Sequence, residues 1–305
     1  MSNNILPKIT IVTPVKNSVN TLEKAIKSLV AQNYPNLEYI VLDGGSNDGT
    51  VEIIKKYEKY INYWKSKKDK GPVDGYIDGI KKASHDIIAF LNADDFYEPE
   101  ILLKAGKEFA DNPDLDMVSF RYRVVKYDSS ILEEVSLEDI KLRRDKMPKT
   151  LGINARFFKK DLFYRYGFPV ELDDQGRTFI GNDLEYMIRF LLKGIKGKDV
   201  DFVGYNYLYH SGSLTFNNDP LMRQRLVEDK IFIAKKFLAE QNELPLGKFW
   251  QKSFKKWIKK YRAKLVKSNL ELKNYQAAKK HFYIGLKENN NILFLFYLIK
   301  TLFRK

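Results

Sequence analysis

The chain has no cysteine among its 305 residues. It therefore has no disulfide framework and no thiolate nucleophile or metal ligand, which suits a reducing compartment. The first eight residues are polar and lack the apolar core of a secretory signal. No apolar run approaches the roughly 20 residues that span a bilayer. We therefore expect a cytoplasmic protein without a transmembrane helix.

Two common nucleotide-binding motifs are also missing from the sequence. The turn after the first predicted strand, Thr13–Ser18, has none of the glycines that a dinucleotide-binding fingerprint requires. The glycine-lysine-serine/threonine run of a P-loop does not occur either. These absences argue against a dinucleotide-dependent enzyme and against a P-loop kinase or ATPase.

The composition indicates a folded, strongly basic protein. Hydrophobic residues make up 44% and aromatic residues 14% of the chain, which is typical of a globule with a buried core. The length predicts one large domain with an appendage, or two domains. The net charge of +14 predicts affinity for an anionic partner, such as a nucleic acid, a phosphorylated substrate or a membrane surface.

Strand-like and helix-like segments alternate through the first half of the chain. The β-branched and apolar runs predict strands, and apolar residues at helical spacing predict the helices between them. The predicted strands are Lys8–Thr13, Glu38–Leu42, Asn62–Lys65 and Ile87–Phe90, and the predicted helices are Thr21–Ala31, Thr50–Tyr60 and Pro72–Ala83. Such repetition predicts an α/β fold with a Rossmann-like, mainly parallel sheet flanked by helices.

Acidic residues follow two of these predicted strands. Asp94 and Asp95 end the stretch Leu91–Asp95, which directly follows the run Ile87–Phe90, at the kind of strand end where open α/β sheets bind ligands. Their oxygens suit Mg²⁺ or Mn²⁺ bridging to phosphates, although an Asp-rich turn before a helix is the simpler interpretation. Asp43 begins a glycine-rich turn, where it either contacts a nucleotide base or ribose or satisfies the amides of its own loop.

The motifs in chain order resemble those of the family 2 glycosyltransferases. They are Ile11–Asn17, Asp43–Thr50, Lys68–Gly71 and Asn92–Asp95. The resemblance runs from Lys8 to about residue 110, with weaker similarity to about residue 215. It implies a GT-A fold with a catalytic domain over 1–215, divided into a nucleotide-sugar half (1–110) and an acceptor half (111–215), and a basic helical region over 216–305. It also implies inverting transfer from a nucleotide-sugar, in many members a UDP-sugar, to a glycan or lipid-linked saccharide of a bacterial polysaccharide, lipopolysaccharide or capsule.

The resemblance also implies roles for individual residues. Thr13, Pro14 and Asn17 would line the nucleotide pocket, Asp43 would contact the base and Asp69 would close the pocket. Asp95 would bind the Mn²⁺ or Mg²⁺ that bridges the donor diphosphate, and Asp94 would touch the ribose or a metal-bound water. The sequence departs from the family pattern at Asn92, where many relatives have Asp, and at Lys16, where an aromatic residue is frequent.

The second half must supply the acceptor site and a base. Asp183 lies in the first turn of a predicted helix and resembles the acid of the family's Glu-Asp motif, with Asn182 replacing the Glu. It is either the general base or a simple helix cap, and Asp173 and Asp174 are the alternative candidates for the base. His210 resembles the family's late His-x-Gly-Ser element, which implies contact with the metal or the diphosphate. The aromatic side chains of Leu151–Phe168 form either a sugar platform or part of the core.

The last third of the chain is basic and amphipathic. Lys248–Lys267 contains no acid and carries aromatic residues at helical spacing, while Ile292–Ile299 is apolar but too short to span a bilayer. These segments predict either peripheral attachment to an anionic membrane surface or helices packed on the protein. The region Lys273–Glu288 resembles one helix of a helical-repeat pair, which leaves a protein partner or homo-oligomer open.

Three functions therefore compete: a glycosyltransferase, a basic nucleic-acid-binding protein, and an inactive membrane or protein scaffold on the same fold. The acids and glycines at the predicted strand ends favour the glycosyltransferase, because those acids would repel a nucleic acid. We accordingly expect no nucleic-acid partner.

Overall fold

The computed structural model describes residues 6–143, 152–210, 212–213, 219–244, 246–288 and 291–302. These residues divide into two compact units. The first contains 6–143, 152–171 and 182–210, and the second contains 172–181 and the described residues from 212 onward. The boundary predicted between 215 and 216 falls outside the described residues.

The predicted alternation of strands and helices is observed, with small shifts at the ends. The strands are β1 Ile9–Val15, β2 Leu37–Asp43, β3 Tyr63–Ser66, β4 Ile87–Phe90, β5 Phe96–Tyr97, β6 Met117–Val125, β7 Ile131–Glu134, β8 Arg156–Lys159 and β9 Gly197–Leu208. The helices of the first unit are α1 Leu22–Val30, α2 Thr50–Lys56, α3 Pro72–Lys82, α4 Ile101–Asp111, α5 Leu137–Ile140, α6 Asp161–Tyr166 and α7 Asn182–Lys193. Those of the second unit are α8 Pro220–Ala239, α9 Lys248–Glu271, α10 Tyr275–Glu288 and α11 Asn291–Leu302.

The strands in the described residues form one nine-stranded mixed sheet. Its order is β3-β2-β1-β4-β8-β6-β9-β5, with β7 paired to β6. The first four strands of this order run parallel, and β8 then pairs antiparallel with both β4 and β6. The α/β prediction is confirmed, and the sheet is parallel mainly in the half that the alternating motifs cover.

The parallel strands bring the predicted motifs to one edge of the sheet. Val15 pairs with Asp43, and Val12 pairs with Phe90, so β1 lies between the strands that end in the glycine-rich and acidic turns. The N–H of Gly44 donates to the Val15 carbonyl at 2.9 Å, and the N–H of Leu91 donates to the Val12 carbonyl at 3.0 Å. Both turns therefore start at the carboxyl edge, as parallel pairing requires.

Helices pack closely on this sheet because their apolar faces have small or aliphatic residues. Helix α1 buries Leu22, Ile26 and Leu29 at helical spacing. In α3, a Cβ added to Gly79 would lie 2.3 Å from a methyl of Val12, so only glycine allows this approach of helix to strand.

The aromatic run after residue 151 belongs to the core. The side chains of Phe157, Phe158 and Phe163 are fully buried. Residue 151 itself lies outside the described part of the chain. Of the two interpretations of this run, core packing is the one observed for these three rings, and Tyr164 is an exposed exception.

The second unit uses the aromatic face of α9 for its own packing. Trp250, Phe254 and Ile258 are buried, and the ring of Phe254 stacks on Phe237 of α8 at 5.5 Å between centroids. The buried aromatic rings of α9 already fill a core, so the helix does not present these rings to lipid. Helix α11 buries Phe294 and exposes Phe296 and Ile299. No helix in the described residues combines the length and apolarity needed to cross a bilayer.

Candidate active site

Asp43 is enclosed by the glycine-rich turn that it begins. Its side chain is only 2% exposed. The carboxylate accepts hydrogen bonds from the N–H groups of Gly45 at 3.2 Å and Ser46 at 3.0 Å, and from the hydroxyls of Ser66 at 2.6 Å and Ser46. These donors satisfy both oxygens, so the main structural role of Asp43 is to hold its loop against β3.

The predicted residues on β1 and just after it also stabilise this edge. The Thr13 hydroxyl is buried and accepts a hydrogen bond from Tyr39 at 3.2 Å, while Pro14 packs against Gly75 of α3. Asn17 has a φ of 51°, donates its N–H to the Ser46 hydroxyl at 2.8 Å and accepts from Asn47 through its side chain at 3.1 Å. Asn17 therefore links the first turn to the glycine-rich turn, and Thr13 lies below the surface.

A cavity of about 300 Å³ opens beside Asp43 and Asp69. Its lining includes five lysines and five acids, which are Lys65, Lys67, Lys68, Lys70, Lys81, Asp43, Asp69, Asp74, Asp78 and Glu171. Asp69 lies directly over Gly44, where an added Cβ would approach one carboxylate oxygen to 2.6 Å. Burial raises the pKa of Asp69, against the opposing effect of the N–H of Gly71 and the charge of Lys16. The cavity thus combines a buried carboxylate, Asp43, and the partly exposed Asp69 with lysine ammonium groups that can contact an anion.

Asp95 is the enclosed member of the acidic pair. Its side chain is 1% exposed and accepts from the Tyr205 hydroxyl at 2.6 Å, the Leu208 N–H at 2.9 Å and the Asn92 amide at 3.1 Å. Burial and the neighbouring charge of Asp94 raise the pKa of Asp95 well above its usual range, and the three donors oppose that rise. The contacts of Asp95 tie the acidic turn to β9.

Asp94 is the open member of the pair. The Nε2 atom of His210 lies 2.9 Å from Oδ2 of Asp94, with 29% of the Asp94 side chain and 18% of the His210 side chain exposed. The Leu208–Asp95 hydrogen bond brings the end of β9 to the acidic turn, and His210 follows two residues later. The structure therefore unites two residues that are 116 positions apart in the sequence.

Asp183 lies near the acidic turn, in the first turn of α7. Its carboxylate accepts from the N–H of Leu184 at 2.7 Å, and the residue is partly exposed. Burial first, and then the charges of Asp183 and Asp94, raise the pKa of the Tyr76 hydroxyl. That hydroxyl donates to Asn92 at 2.9 Å, so Tyr76 contacts the acidic turn and lies within electrostatic range of the candidate base.

Asp173, an alternative candidate for the base, forms ion pairs instead. It is buried in the second unit and forms ion pairs with Arg177 at 2.8 Å and Arg225 at 3.2 Å. Asp174 is exposed in the same loop. Asp183 is therefore the candidate base that shares a unit with Asp94 and His210.

Sequence reasoning missed the residues that organise the acidic turn. Tyr205 and Tyr76 hold Asp95 and Asn92, and no motif marks either tyrosine. The available signal was only that Tyr205 belongs to the strand-like run before His210.

Asp94 and His210 have the donor chemistry of a divalent-cation site. Both are accessible, and they offer a carboxylate oxygen and an imidazole nitrogen, a set suited to Mn²⁺ with its remaining positions left for other ligands. Within the described residues, no three His, Cys, Asp or Glu side chains come together as a metal site. Asp94 and His210 would therefore suit a divalent ion, whereas Asp95 is buried.

The solved structures that the chain resembles are GT-A glycosyltransferases. TarS of S. aureus, residues 1–349 in complex with UDP-GlcNAc, matches 97% of this chain and 88% of its own with a TM-score of 0.67 and 17% identity. The mannosyltransferase PcManGT from Pyrobaculum calidifontis, in complex with GDP-Man and Mn²⁺, matches 98% of this chain and 88% of its own with a TM-score of 0.56 and 16% identity. At these identities the likeness shows the fold, and the GT-A prediction is confirmed.

Sequence relatives give a consistent result. An uncharacterized glycosyltransferase of Mycobacterium tuberculosis is 37% identical over 101 residues, which are 32% of this chain and 38% of the relative. One of Mycoplasma genitalium is 28% identical over 172 residues, 52% of this chain and 57% of the relative. The chain thus covers well under two thirds of these relatives. The family model described as Glycosyl transferase family 2 matches residues 10–168, more than half of the chain. The chain belongs to glycosyl transferase family 2.

Proposed function

We propose that this chain is a metal-dependent inverting glycosyltransferase that moves a sugar from a UDP-sugar to a hydroxyl of a glycan or lipid-linked saccharide. The pathway would be the synthesis of a polysaccharide, lipopolysaccharide or capsule. The observation that carries the proposal is the accessible Asp94–His210 pair at the carboxyl edge of the sheet, beside Asp183. The solved TarS and PcManGT complexes, with UDP-GlcNAc and with GDP-Man and Mn²⁺, support a nucleotide-sugar donor.

In this proposal Asp94 and His210 hold Mn²⁺ or Mg²⁺. When bound, the ion supplies positive charge to the leaving diphosphate. Asp95 was expected to be the ligand, but its buried oxygens already accept three hydrogen bonds, so we assign it the role of fixing the turn that presents Asp94. To coordinate the ion, the imidazole ring of His210 must be neutral.

The nucleotide would occupy the glycine-turn side of the site. Asp69 and Asp43 line the cavity, and the lysines around it would attract the phosphates. Asn17 and Pro14 would border this region, and Thr13 would support it from below. A uracil presents donor and acceptor groups that suit such a set of carboxylates and backbone amides.

Asp183 would act as the general base. It would take the proton of the acceptor hydroxyl while that oxygen forms a bond to the anomeric carbon and the bond to the diphosphate oxygen breaks, releasing UDP. A single displacement of this kind inverts the anomeric configuration. The Tyr76–Asn92 hydrogen bond would hold the acidic turn against α3, where the charge of Asp183 also acts on Tyr76.

The first test is isothermal titration of UDP, GDP, CMP and dTDP, with and without Mn²⁺. We expect one nucleotide, UDP, to bind with metal, and we expect Asp94→Asn to weaken that binding about 10- to 100-fold. Asp86→Asn is the matched control, because Asp86 is an exposed acid at the opposite end of the same strand. If no nucleotide binds, or if Asp94→Asn behaves like Asp86→Asn, the proposal is wrong.

We further propose that the chain associates with the inner face of the cytoplasmic membrane through α11. The support is its exposed Phe296 and Ile299, together with the chain's net charge of +14. Co-sedimentation with vesicles containing anionic lipid should fall when Phe296 and Ile299 are both changed to Asp, and Tyr60→Asp in the first unit should have no effect. Equal binding of both variants would reject this attachment.

A further inference from the structure

The turn between β6 and β7 places an exposed aromatic ring beside the candidate metal-binding pair. The Tyr127 side chain is 62% exposed, and its ring centroid lies 6.3 Å from that of His210. His210 in turn pairs with Asp94. Single exposed tyrosines are ordinary, so the position of Tyr127 next to these groups is what makes it informative.

The backbone holds Tyr127 at this place. Val125 pairs with Leu208, and the Tyr209 N–H donates to the Val125 carbonyl at 2.7 Å, which joins the start of the turn to the strand that carries His210. The turn is closed by the Lys126 N–H, which donates to the Ser130 carbonyl at 2.9 Å. The Asp128 carboxylate also accepts from the Ser130 N–H at 2.9 Å. A ring on such a braced turn loses little freedom when a ligand covers it.

The core does not account for the exposure of this ring. In contrast, Phe120 of β6 and Phe157 of β8 are fully buried and pack edge-to-face at 5.8 Å. Tyr127 lies beyond the last sheet residues, where its ring faces solvent. Together with Tyr209, which is also exposed, it gives the rim of the site an amphipathic aromatic surface.

We propose that Tyr127 is the platform of the acceptor subsite and stacks against a pyranose ring of the acceptor. This inference rests on the proposed function. A pyranose has an apolar face of C–H groups that fits an aromatic face, and a rim of hydroxyls that fits the polar side chains and backbone of the turn. Because Asp94 and His210 are the proposed metal and diphosphate ligands, a sugar on Tyr127 lies next to the donor.

The experiment compares transfer to a sugar with transfer to water. UDP release from the UDP-sugar that the wild-type chain binds is measured alone and with p-nitrophenyl pyranosides of glucose, galactose, mannose and N-acetylglucosamine. We expect Tyr127→Ala to raise the KM for the glycoside about two- to tenfold, with kcat, acceptor-free hydrolysis and UDP affinity changed less than about twofold. Tyr127→Phe keeps the ring and should match wild type. Tyr164→Ala, which removes another exposed tyrosine of the same unit, should have no effect.

Several results would overturn the inference. An unchanged KM in Tyr127→Ala would show that the ring does not touch the acceptor. A parallel loss of UDP affinity and hydrolysis would assign Tyr127 to the donor site. A wild-type chain that hydrolyses the donor but gains no UDP release from any pyranoside would reject a saccharide as the ligand. If the wild-type chain binds no nucleotide at all, the proposed function itself fails, which is a distinguishable result.

Discussion

The glycine-rich turn after β2 and the acidic turn after β4 start at the same edge of the sheet but use their acids differently. In the first, Asp43 is enclosed by donors from its own loop and from β3. In the second, Asp95 is enclosed while Asp94 remains accessible and meets His210. An acid at a strand end can therefore either stabilise its own loop or remain accessible to a ligand. The donors around it distinguish the two roles.

The difference follows from how buried carboxylates are stabilised. A carboxylate removed from water needs hydrogen-bond donors to offset its lost hydration, and both Asp43 and Asp95 have several. Donors that satisfy a carboxylate also occupy the lone pairs with which that carboxylate would bind a metal ion or accept a proton. We therefore expect substitutions of enclosed acids to change folding stability, and substitutions of open acids to change binding or turnover.

The largest predicted effect belongs to the candidate base, Asp183. Asp183→Asn keeps the shape of the side chain but cannot accept the acceptor proton, so kcat for transfer should fall by about 10²- to 10⁴-fold. UDP affinity, measured by titration, should stay within about twofold of wild type. Asp174→Asn is the control, since Asp174 is an exposed acid in the second unit. Transfer retained within about threefold in Asp183→Asn would mean that the base is elsewhere.

The next prediction contrasts the neighbours in the acidic turn. Asp95→Ala leaves the Tyr205 hydroxyl and the Leu208 N–H without their acceptor, so we expect the free energy of unfolding to fall by about 3 kcal/mol. Asp94→Ala should cost less than about 1 kcal/mol, because water can replace its contact with His210. Urea unfolding measures both. Equal losses from both substitutions would remove the distinction between an enclosed and an open acid.

The sequence predicted much of the fold but less of this distinction. Strands β1, β2 and β4 each contain a run of β-branched or apolar residues, and parallel pairing then places Asp43 and Asp94 at one edge. The enclosure of Asp95 depends on Leu208, 113 positions later, and the partner of Asp94 is 116 positions later. Local patterns contain no information on which of two adjacent acids such a distant strand will cover. For the same reason, the sequence did not predict whether the aromatic rings of α9 are buried, because an amphipathic face does not identify what it packs against.

Asp229 of the second unit extends the comparison to pH. Its Oδ2 atom accepts the N–H groups of Ile180 at 3.0 Å and Gly181 at 2.9 Å, while Oδ1 makes no hydrogen bond within the described residues and lies 3.6 Å from Nε of Arg225. Burial raises the pKa of Asp229 from 3.8 to about 6, despite these groups.

The sign of the resulting pH dependence is fixed by this rise. Between about pH 4 and 6 the folded state retains a proton that the unfolded state has lost, so the stability present below pH 4 declines as pH rises through 6. The contribution amounts to about 3 kcal/mol at most. Asp229→Asn should remove it, which urea unfolding at pH 4 and pH 7 would detect as a smaller difference than in wild type. An unchanged difference would show that Asp229 ionises normally and that the N–H donors offset the effect of burial.

The smallest predicted effect separates the two acids within the glycine-rich turn. Asp43→Ala leaves the Ser66 hydroxyl and two loop N–H groups without their acceptor, and the loss should be about 2 kcal/mol because water reaches part of this loop. Asp48 also accepts loop donors, from Val19 at 3.1 Å and Thr50 at 3.0 Å, but it lies near the surface. Asp48→Ala should therefore cost less than about 1 kcal/mol. If the order of these losses in urea unfolding is reversed, then burial does not decide what an acid contributes to stability, and the structural role assigned to Asp95 loses its physical basis.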